Sequence, residues 1–251
     1  MFAFANLKIR SNKNHTVMVP SLEHLAARAV AKDLAEREFV GPLELPVYLY
    51  LLVDLFRLER RVGRQDVCSE AARGGNLPLL ALAEMNGFRV SRATHTRAAG
   101  GGHLDMLKWL RSKGYIPHCN WEILFMYKIA AKTGQHDVIR WLRAEGDNWD
   151  ENACAGAAEG GQFEILRWLH ANGCPWDRRT FDAVVGWGRL DILRWLRAEG
   201  CPWNSWSLAE AAKKGYLDII QWLRGEGCPW NDWVCVYAAQ SGRLDILQWL
   251  R

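Results

Sequence analysis

The chain has 251 residues, of which 32 are basic and 28 acidic, and its formal net charge is +4 at pH 7. This near balance gives no compositional sign of a nucleic-acid-binding protein. The first residues lack the apolar core of a signal peptide, and no stretch of about 18 apolar residues could form a transmembrane helix. We therefore expect a soluble protein of the cytoplasm, with the nucleus as the alternative, and no membrane partner.

The seven cysteines are odd in number and include no C-x-x-C pair. Cys174, Cys201 and Cys228 recur at intervals of 27 residues. If stacked units lie roughly 8–10 Å apart, these cysteines exceed the roughly 7 Å Cα separation that a disulfide allows. The spacing therefore predicts small, buried, unpaired thiols, as expected in a reducing compartment.

The N-terminal segment has two parts. Residues 1–20 show no sustained periodicity and are predicted to form a flexible tail. Residues 21–62 show helical periodicity: Ser21 can cap a first helix, Gly41 ends it, and Pro46 begins a second helix with apolar residues on one side. The sequence therefore predicts an N-terminal helical hairpin.

Two stretches of this hairpin, SLEHLAARAV at 21–30 and LELPVYLYLL at 43–52, resemble the SOCS-type box, and the helical start is also similar to F-box segments. In the SOCS family the first helix binds elongin and the LP-containing segment selects a cullin. The resemblance implies a substrate-recognition adaptor of a cullin-type ubiquitin ligase, acting through residues 21–56, although Glu44 replaces the usual proline. The matching residues are Leu22, Ala26, Val30, Leu45 and Pro46.

The residues themselves leave a second interpretation of the hairpin open. Its helices could simply cap the apolar end of the first repeat, because the terminal units of a repeat array need a polar outer face. An LP pair before an apolar helix is also common at a helix start. The hairpin is therefore predicted to be either an adaptor segment or a cap.

A repeated unit occupies residues 63–251. Each unit carries a small-residue pair, then a glycine, then a Trp-Leu pair, and Leu82 replaces the tryptophan in the first copy. The tryptophans are Trp109, Trp141, Trp168, Trp195, Trp222 and Trp249. The interval is 27 residues except for one of 32. The period predicts seven stacked helix–turn–helix units, the last one truncated.

One unit shows why this pattern indicates two helices and a turn. In the second helix of residues 188–203, Asp191 lies in the first turn and Arg197 in the last, where each charge complements the helix dipole. Gly200 ends the helix. The apolar residues cover more than half of the circumference, so the helix needs a neighbour on each side.

The pattern resembles the ankyrin repeat. GHLDMLKWLRSKG at 102–114 is the most similar copy, and GCPWD at 173–177 stands where ankyrins have GADVN. The GCPW form is similar to that of divergent ankyrin proteins of protists and giant viruses. The resemblance implies an all-α, ankyrin-like helical-repeat solenoid that binds proteins and is not an enzyme. The chain departs from the family in two ways: its period is 27 instead of about 33 residues, and the TPLH motif is missing. The shorter period implies that the usual β-hairpin fingers are reduced to short loops.

No motif indicates catalysis, a cofactor or a metal. Gly100–Gly102 precedes a helix without a preceding strand or a G-K-S/T continuation, so it is predicted to be a turn rather than a phosphate loop. His118 and Cys119 have no second ligand pair at the spacing that a structural zinc site requires. The recurring acids, such as Asp191, are explained as helix-start residues.

The predicted partner is a protein of unknown identity, bound through the first helices and loops. The loop tryptophans could either seal the seam between units or bind a partner. The partner-binding residues are predicted to be Trp176, Arg178, Arg179, Asp182, Trp203, Ser205, Trp206, Glu210, Trp230, Asp232 and Trp233.

A basic ladder along the second helices raises a nucleic-acid alternative. It runs from Lys108 and Arg111 through Arg194 and Arg197 to Arg251, but Glu145, Glu199 and Glu226 dilute it. We therefore expect a solvated face and do not expect nucleic acid as a partner.

The last copy ends at Arg251 without the glycine and CPW turn of the others. From this we expect Ile246, Leu247 and Trp249 to lack the neighbour that their pattern requires, so that a longer array or another molecule would cover them.

Overall fold

The structure is a computed structural model that describes residues 7–10, 16–19, 47–115 and 120–251. It divides into two compact units, Met1–Arg97 and Ala98–Arg251, and each is described by itself. The first unit contains β1 (Leu7–Arg10) and β2 (Thr16–Val19), which pair antiparallel with Leu7 opposite Val19. This hairpin differs from the flexible tail predicted for residues 1–20. Its strands are only four residues long, too short for their alternation to be recognised as a period.

Fifteen helices lie within the described ranges. They are α1 (Val47–Val62), α2 (Val67–Arg73), α3 (Leu77–Met85), α4 (Arg92–Gly101), α5 (Leu104–Ser112), α6 (Asn120–Lys132), α7 (His136–Ala144), α8 (Glu151–Glu159), α9 (Phe163–Ala171), α10 (Arg178–Trp187), α11 (Leu190–Ala198), α12 (Ser205–Lys214), α13 (Leu217–Gly225), α14 (Trp233–Gln240) and α15 (Leu244–Leu250). From α2 onward they form seven successive pairs. The predicted all-α helical-repeat fold is thereby confirmed.

In the first unit, α1 packs against both helices of the first pair, α2 and α3. Leu52 and Leu55 of α1 are completely buried. At the start of α3, Asn76 Oδ1 accepts a hydrogen bond from the backbone N–H of Leu79 at 3.0 Å, which satisfies one of the free donors of a helix start. Helix α1 therefore covers the first helical pair.

In the second unit, the first helices of successive pairs stack on one another in the order α6, α8, α10, α12 and α14. The second helices of these five pairs each pack against their own first helix. The leucine of every Trp-Leu pair from Leu110 to Leu223 is completely buried, as the predicted apolar stripe requires. Small residues allow close approach on the first helices: a Cβ at Gly156 of α8 would overlap the carbonyl oxygen of Lys128 on α6.

Two kinds of hydrogen bond account for the cysteine and the aspartate or asparagine of the C-P-W-D/N loop. Asp177 and Asn204 accept hydrogen bonds from the backbone N–H groups two residues later, at 3.0 Å, and so cap α10 and α12. The thiols of Cys201 and Cys228 donate to the carbonyl oxygens of these same capping residues, at 3.7 and 3.3 Å. One loop therefore bonds to the loop before it, and the recurrence of cysteine has a structural reason.

The recurring cysteines are buried and unpaired, as predicted. Burial raises the pKa of Cys201 to about 12 and that of Cys228 to about 11.

In the last pair, Ile246 is completely buried, contrary to the expectation that it lacks a neighbour. Leu247 is half-buried and Trp249 is exposed. Ile246 is buried because α15 packs against α14 of its own pair. The repeat pattern alone does not show this contact.

Candidate binding surface

The second helices carry a regular ladder of guanidinium groups and indole rings. Arg140 lies over the ring of Trp168 at 5.7 Å, and Arg167 lies over that of Trp195 at 5.4 Å, each contact joining one repeat to the next. Each such cation–π contact is worth about 0.5–1 kcal/mol at an exposed site. Several members of the predicted basic ladder are therefore already engaged with aromatic rings of the protein itself.

The loop tryptophans belong to this same ladder. Trp176 stacks on His170 at 3.6 Å, and Arg197 lies over Trp203 at 4.2 Å. Arg224 occupies the equivalent position over Trp230, at 5.1 Å. All three indoles are half-buried.

Edge-to-face contacts extend the ladder along the second helices. Trp176 lies 5.6 Å from Trp195, and Trp203 lies 6.0 Å from Trp222 of the next repeat. The structure thus places Trp176, Trp203 and Trp230 in the seam between second helices. It does not bring them together with the predicted residues of the first helices.

The first helices present a different surface. Five residues before the small-residue pair, each first helix carries a side chain that changes from repeat to repeat. From α6 to α14 this position holds Phe125, Asn152, Arg179, Trp206 and Trp233. Arg179, Phe125, Trp206 and Trp233 are exposed and Asn152 is half-buried. Because four of these five side chains are exposed, burial in the core does not restrict their chemistry.

Polar contacts fix the middle of this surface. Arg179 donates from Nε to Asp177 at 2.7 Å and from Nη1 to Asn152 Oδ1 at 2.9 Å. Ser207 Oγ donates to Asp182 Oδ1 at 2.6 Å and joins α12 to α10. Burial raises the pKa of Asp182, although this hydrogen bond and the charge of Arg178 oppose the shift. The middle of the surface is therefore polar, and hydrogen bonds and ion pairs hold its side chains in place.

An aromatic strip, which we define as Trp206, Trp233 and Tyr237, lies at the C-terminal end of this surface. The rings of Trp206 and Trp233 are 6.2 Å apart with an interplanar angle of 22°, and Trp233 lies 5.7 Å from Tyr237. The two indoles are 44% and 48% exposed. Exposed aromatic side chains in a group are typical of interfaces.

The other predicted residues surround the strip. Ser205 and Asp232 each lie immediately before a strip tryptophan. Glu210 is half-buried on α12, and its carboxylate lies 3.9 Å from the ammonium group of Lys213. Arg178 is exposed at the start of α10. The predicted first-helix residues therefore share one surface.

Several exposed aromatic residues on the first helices were not among the predictions. They are Trp121, Phe125 and Trp187, and the half-buried Tyr237 beside Trp233 was not among them either. The signal for Phe125 was present, since it has the same register as Trp206 and Trp233. The 32-residue interval before α6 obscured that register.

The residues of the adaptor hypothesis, Leu22, Ala26, Val30, Leu45 and Pro46, lie outside the described residues. His118 and Cys119 lie in the undescribed range 116–119. In the part of the chain that the structure does describe, no group of three or more His, Cys, Asp or Glu side chains is placed to hold a metal ion. No helix of that part has both the length and the apolarity needed to cross a membrane.

No family model matches the sequence, and no curated protein matches it. Solved structures do resemble the fold. Two crystal structures of the pentatricopeptide repeat protein PPR10, both in complex with an 18-nt psaJ RNA element and one of them a cysteine-to-serine variant, each align at 14% identity with a TM-score of 0.45. The alignments cover 89% of this chain and 37% of PPR10. A likeness of this degree concerns the helical-repeat fold alone.

The expectation that nucleic acid is not a partner is contradicted by these RNA-bound structures and is withdrawn. That expectation rested on the charge balance of the chain and on the acids Glu145, Glu199 and Glu226 near the basic ladder. Net charge describes the average over a surface, whereas a repeat protein binds through one local face.

Proposed function

We propose that this helical-repeat chain is a non-enzymatic, ankyrin-like binding scaffold that binds another protein through the surface of its first helices. The observation that carries the proposal is the variable register of the first helices, which holds four residue types in five repeats: Phe125, Asn152, Arg179, Trp206 and Trp233. The second helices repeat almost the same residues and use them in contacts with one another. A constant frame with a variable surface is the way in which repeat proteins generate specific binding.

The chemistry of the first-helix surface supports a protein partner. It combines large aromatic groups with arginine, the side chains most enriched at the energetic centres of protein interfaces. Around them, cationic side chains such as Arg178 and Lys213 alternate with anionic ones such as Glu210 and Asp232. A protein surface of mixed charge complements such a pattern.

A selection from a displayed library of protein fragments tests the proposal. The full chain is immobilised, and the selected ligands are compared on two variants. The first changes three first-helix residues, Phe125→Ser, Arg179→Ser and Trp206→Ser. The control changes three exposed second-helix residues, Lys108→Ser, Arg194→Ser and Gln221→Ser.

We expect the selected fragments to lose binding to the first variant and to keep it on the control. Ligands that bind both variants equally would contradict the proposal. So would ligands that bind only when nucleic acid is carried with them, since nucleic acid would then be the partner.

The adaptor function of residues 21–56 stays a prediction. Its described part, α1, buries Leu52, Val53, Leu55 and Phe56, which favours the alternative that α1 caps the first repeat. The paired substitution Leu22→Ala and Pro46→Ala tests the adaptor function in a binding assay with reconstituted elongin and cullin. Equal binding before and after the substitution, or no binding by the unmodified chain, would rule out the adaptor function.

A further inference from the structure

The aromatic strip ends beside positive charge. Trp206 and Trp233 lie at the starts of α12 and α14, with their rings 6.2 Å apart. Tyr237 follows one helical turn after Trp233. Lys213 lies seven residues after Trp206, about 10 Å further along α12, and its ammonium group is 6.0 Å from the Tyr237 ring. Along the helices the surface therefore passes from apolar rings to a cation.

The exposure of Trp206 does not arise from a missing neighbour. Helix α14 packs against α12 on the side of the following repeat, and Trp206 is still 44% exposed. Trp203, only three residues earlier, is half-buried between the second helices. The stacking of repeats thus leaves the Trp206 indole accessible, and its apolar face can contact another molecule.

Elsewhere on the first helices of the second unit, several cations have close acidic partners. Arg179 lies 2.7 Å from Asp177. Lys128 and Lys132 share Glu159, at 2.8 and 3.2 Å. These ion pairs use the positive charge within the protein, so they give an anionic partner little to bind.

The two lysines at the end of α12 are balanced less well. The ammonium group of Lys213 is 3.9 Å from Glu210, and its side chain is 57% exposed. Lys214 beside it is exposed and forms no ion pair with the described residues. One half-buried carboxylate therefore faces two exposed ammonium groups. Acidic groups on a partner would complement them.

The opposite end of the strip carries a negative charge, which favours a protein segment over a nucleic acid. Asp232 is exposed, immediately precedes Trp233, and its side chain does not cap α14. A single-stranded nucleic acid carries a phosphate at every nucleotide, so it would bring negative charge to Asp232 as well as to the lysines. A protein segment can carry acidic residues at one end only.

The geometry points to a protein segment with a large apolar side chain and, about 10 Å from it, acidic residues as the ligand of the aromatic strip and its two lysines. This inference rests on the proposed function, for which it names the chemistry of the segment that binds. The apolar side chain packs on Trp206 and Trp233, and the acidic residues pair with Lys213 and Lys214. In an extended segment, which advances about 3.3 Å per residue, the two features are about three residues apart.

Selection from a displayed library of random peptides on the immobilised full chain tests this inference, followed by fluorescence anisotropy with the selected peptides. We expect an aromatic or large aliphatic residue with acidic residues about three positions away, on one side of it. The paired substitution Trp206→Ser and Trp233→Ser should weaken binding at least about tenfold. Trp249→Ser, at a tryptophan that is 41% exposed on a second helix, should leave it unchanged.

An exchange of charge tests the role of the lysines. Lys213→Glu with Lys214→Glu should weaken the selected peptides at least about tenfold. A peptide whose acidic residues are replaced by lysine should bind this variant more tightly than it binds the unmodified chain. The control, Lys108→Glu with Arg194→Glu, reverses two exposed cations of second helices and should leave binding unchanged. Circular dichroism confirms that each variant is folded.

A selection that enriches no acidic sequences, or equal binding to the unmodified chain and the lysine variant, would overturn the inference. So would a single-stranded oligonucleotide that displaces the selected peptides and binds more tightly than they do, since bases also stack on aromatic side chains.

The fragment selection separates this failure from that of the proposed function. If fragments depend on the first-helix residues but not on Lys213 and Lys214, the proposed function holds and the acidic ligand is wrong. If no fragment depends on the first-helix residues, both are wrong.

Discussion

Trp203 and Trp206 are three residues apart and lie in two different environments. Trp203 contacts Phe181, Trp222 and Arg197 at the seam between second helices. Trp206 begins the aromatic strip and contacts Trp233. Tryptophan content alone therefore does not identify a binding site in this chain. On the second helices indoles hold repeats together, whereas on the first helices they are presented to solvent.

The largest contrast between the two environments is expected in thiol chemistry. Cys201 is buried, with its pKa raised to about 12, whereas Cys235 on the first helix α14 is exposed. Only the thiolate reacts with iodoacetamide. Because a raised pKa keeps the thiol protonated until the pH approaches 12, we expect Cys201 in the folded chain to react about a thousandfold more slowly than an ordinary thiol at about pH 8.

Peptide mapping by mass spectrometry after timed alkylation measures both rates. Alkylation in denaturant is the control, since both cysteines should then react alike. If Cys201 and Cys235 were alkylated at similar rates in the folded chain, the conclusion that the loop cysteines are buried would be wrong.

The second prediction compares the two tryptophans directly. Trp203→Ala should lower the free energy of unfolding by about 2–4 kcal/mol, because it removes aromatic packing and a cation–π contact from the seam. Trp206→Ala should lower it by less, by about 1 kcal/mol, since the residue is 44% exposed. Urea denaturation measures both values. Similar losses for the two variants would contradict the conclusion that Trp203 holds repeats together whereas Trp206 does not.

The third prediction concerns the close approach of α6 and α8. Gly156→Ala should cost about 1–3 kcal/mol of folding free energy, because the new methyl group overlaps the Lys128 carbonyl oxygen. Gly225→Ala is the matched control: no atom lies within 4 Å of a Cβ built there. Alanine favours a helix over glycine by up to about 1 kcal/mol, so the control should be neutral or slightly stabilising. Equal melting temperatures for the two variants would contradict this packing.

The smallest effect is expected at His170. At the equivalent register Arg197 and Arg224 lie over the loop tryptophans, whereas His170 stacks on Trp176 and lies 3.5 Å from Glu199. His170→Arg should reproduce the arrangement of the other repeats and change the free energy of unfolding by less than about 0.5 kcal/mol. A larger loss of unfolding free energy in urea denaturation would show that arginine cannot replace histidine at this position, although other repeats carry arginine there.

The sequence predicted the repeated frame well. The period, the glycine turns and the Trp-Leu stripe each follow from local rules, so the helical pairs and the buried leucines could be inferred residue by residue. The N-terminal β-hairpin could not, because strands of four residues show no clear period. The roles of the recurring cysteine and aspartate also depend on contacts between consecutive loops, which a single unit does not show.

The candidate surface was predicted only in part. The loop residues around Trp203 and Trp206 were recognised together, and nothing local indicates that one indole lies in the seam while the other is exposed. That distinction depends on how far each loop turns before the next helix begins at Ser205. Phe125 was overlooked because the longer interval before α6 hides its register.

Binding through the first helices is tested most directly by the indole Nε1–H signals in a nitrogen-15 NMR spectrum, recorded as a ligand selected on the immobilised chain is added. The sequence contains fourteen tryptophans, and each contributes one such signal. We expect the signals of Trp206 and Trp233 to shift while those of Trp176, Trp203 and Trp222 stay in place. Shifts confined to the second-helix tryptophans would contradict binding through the first helices.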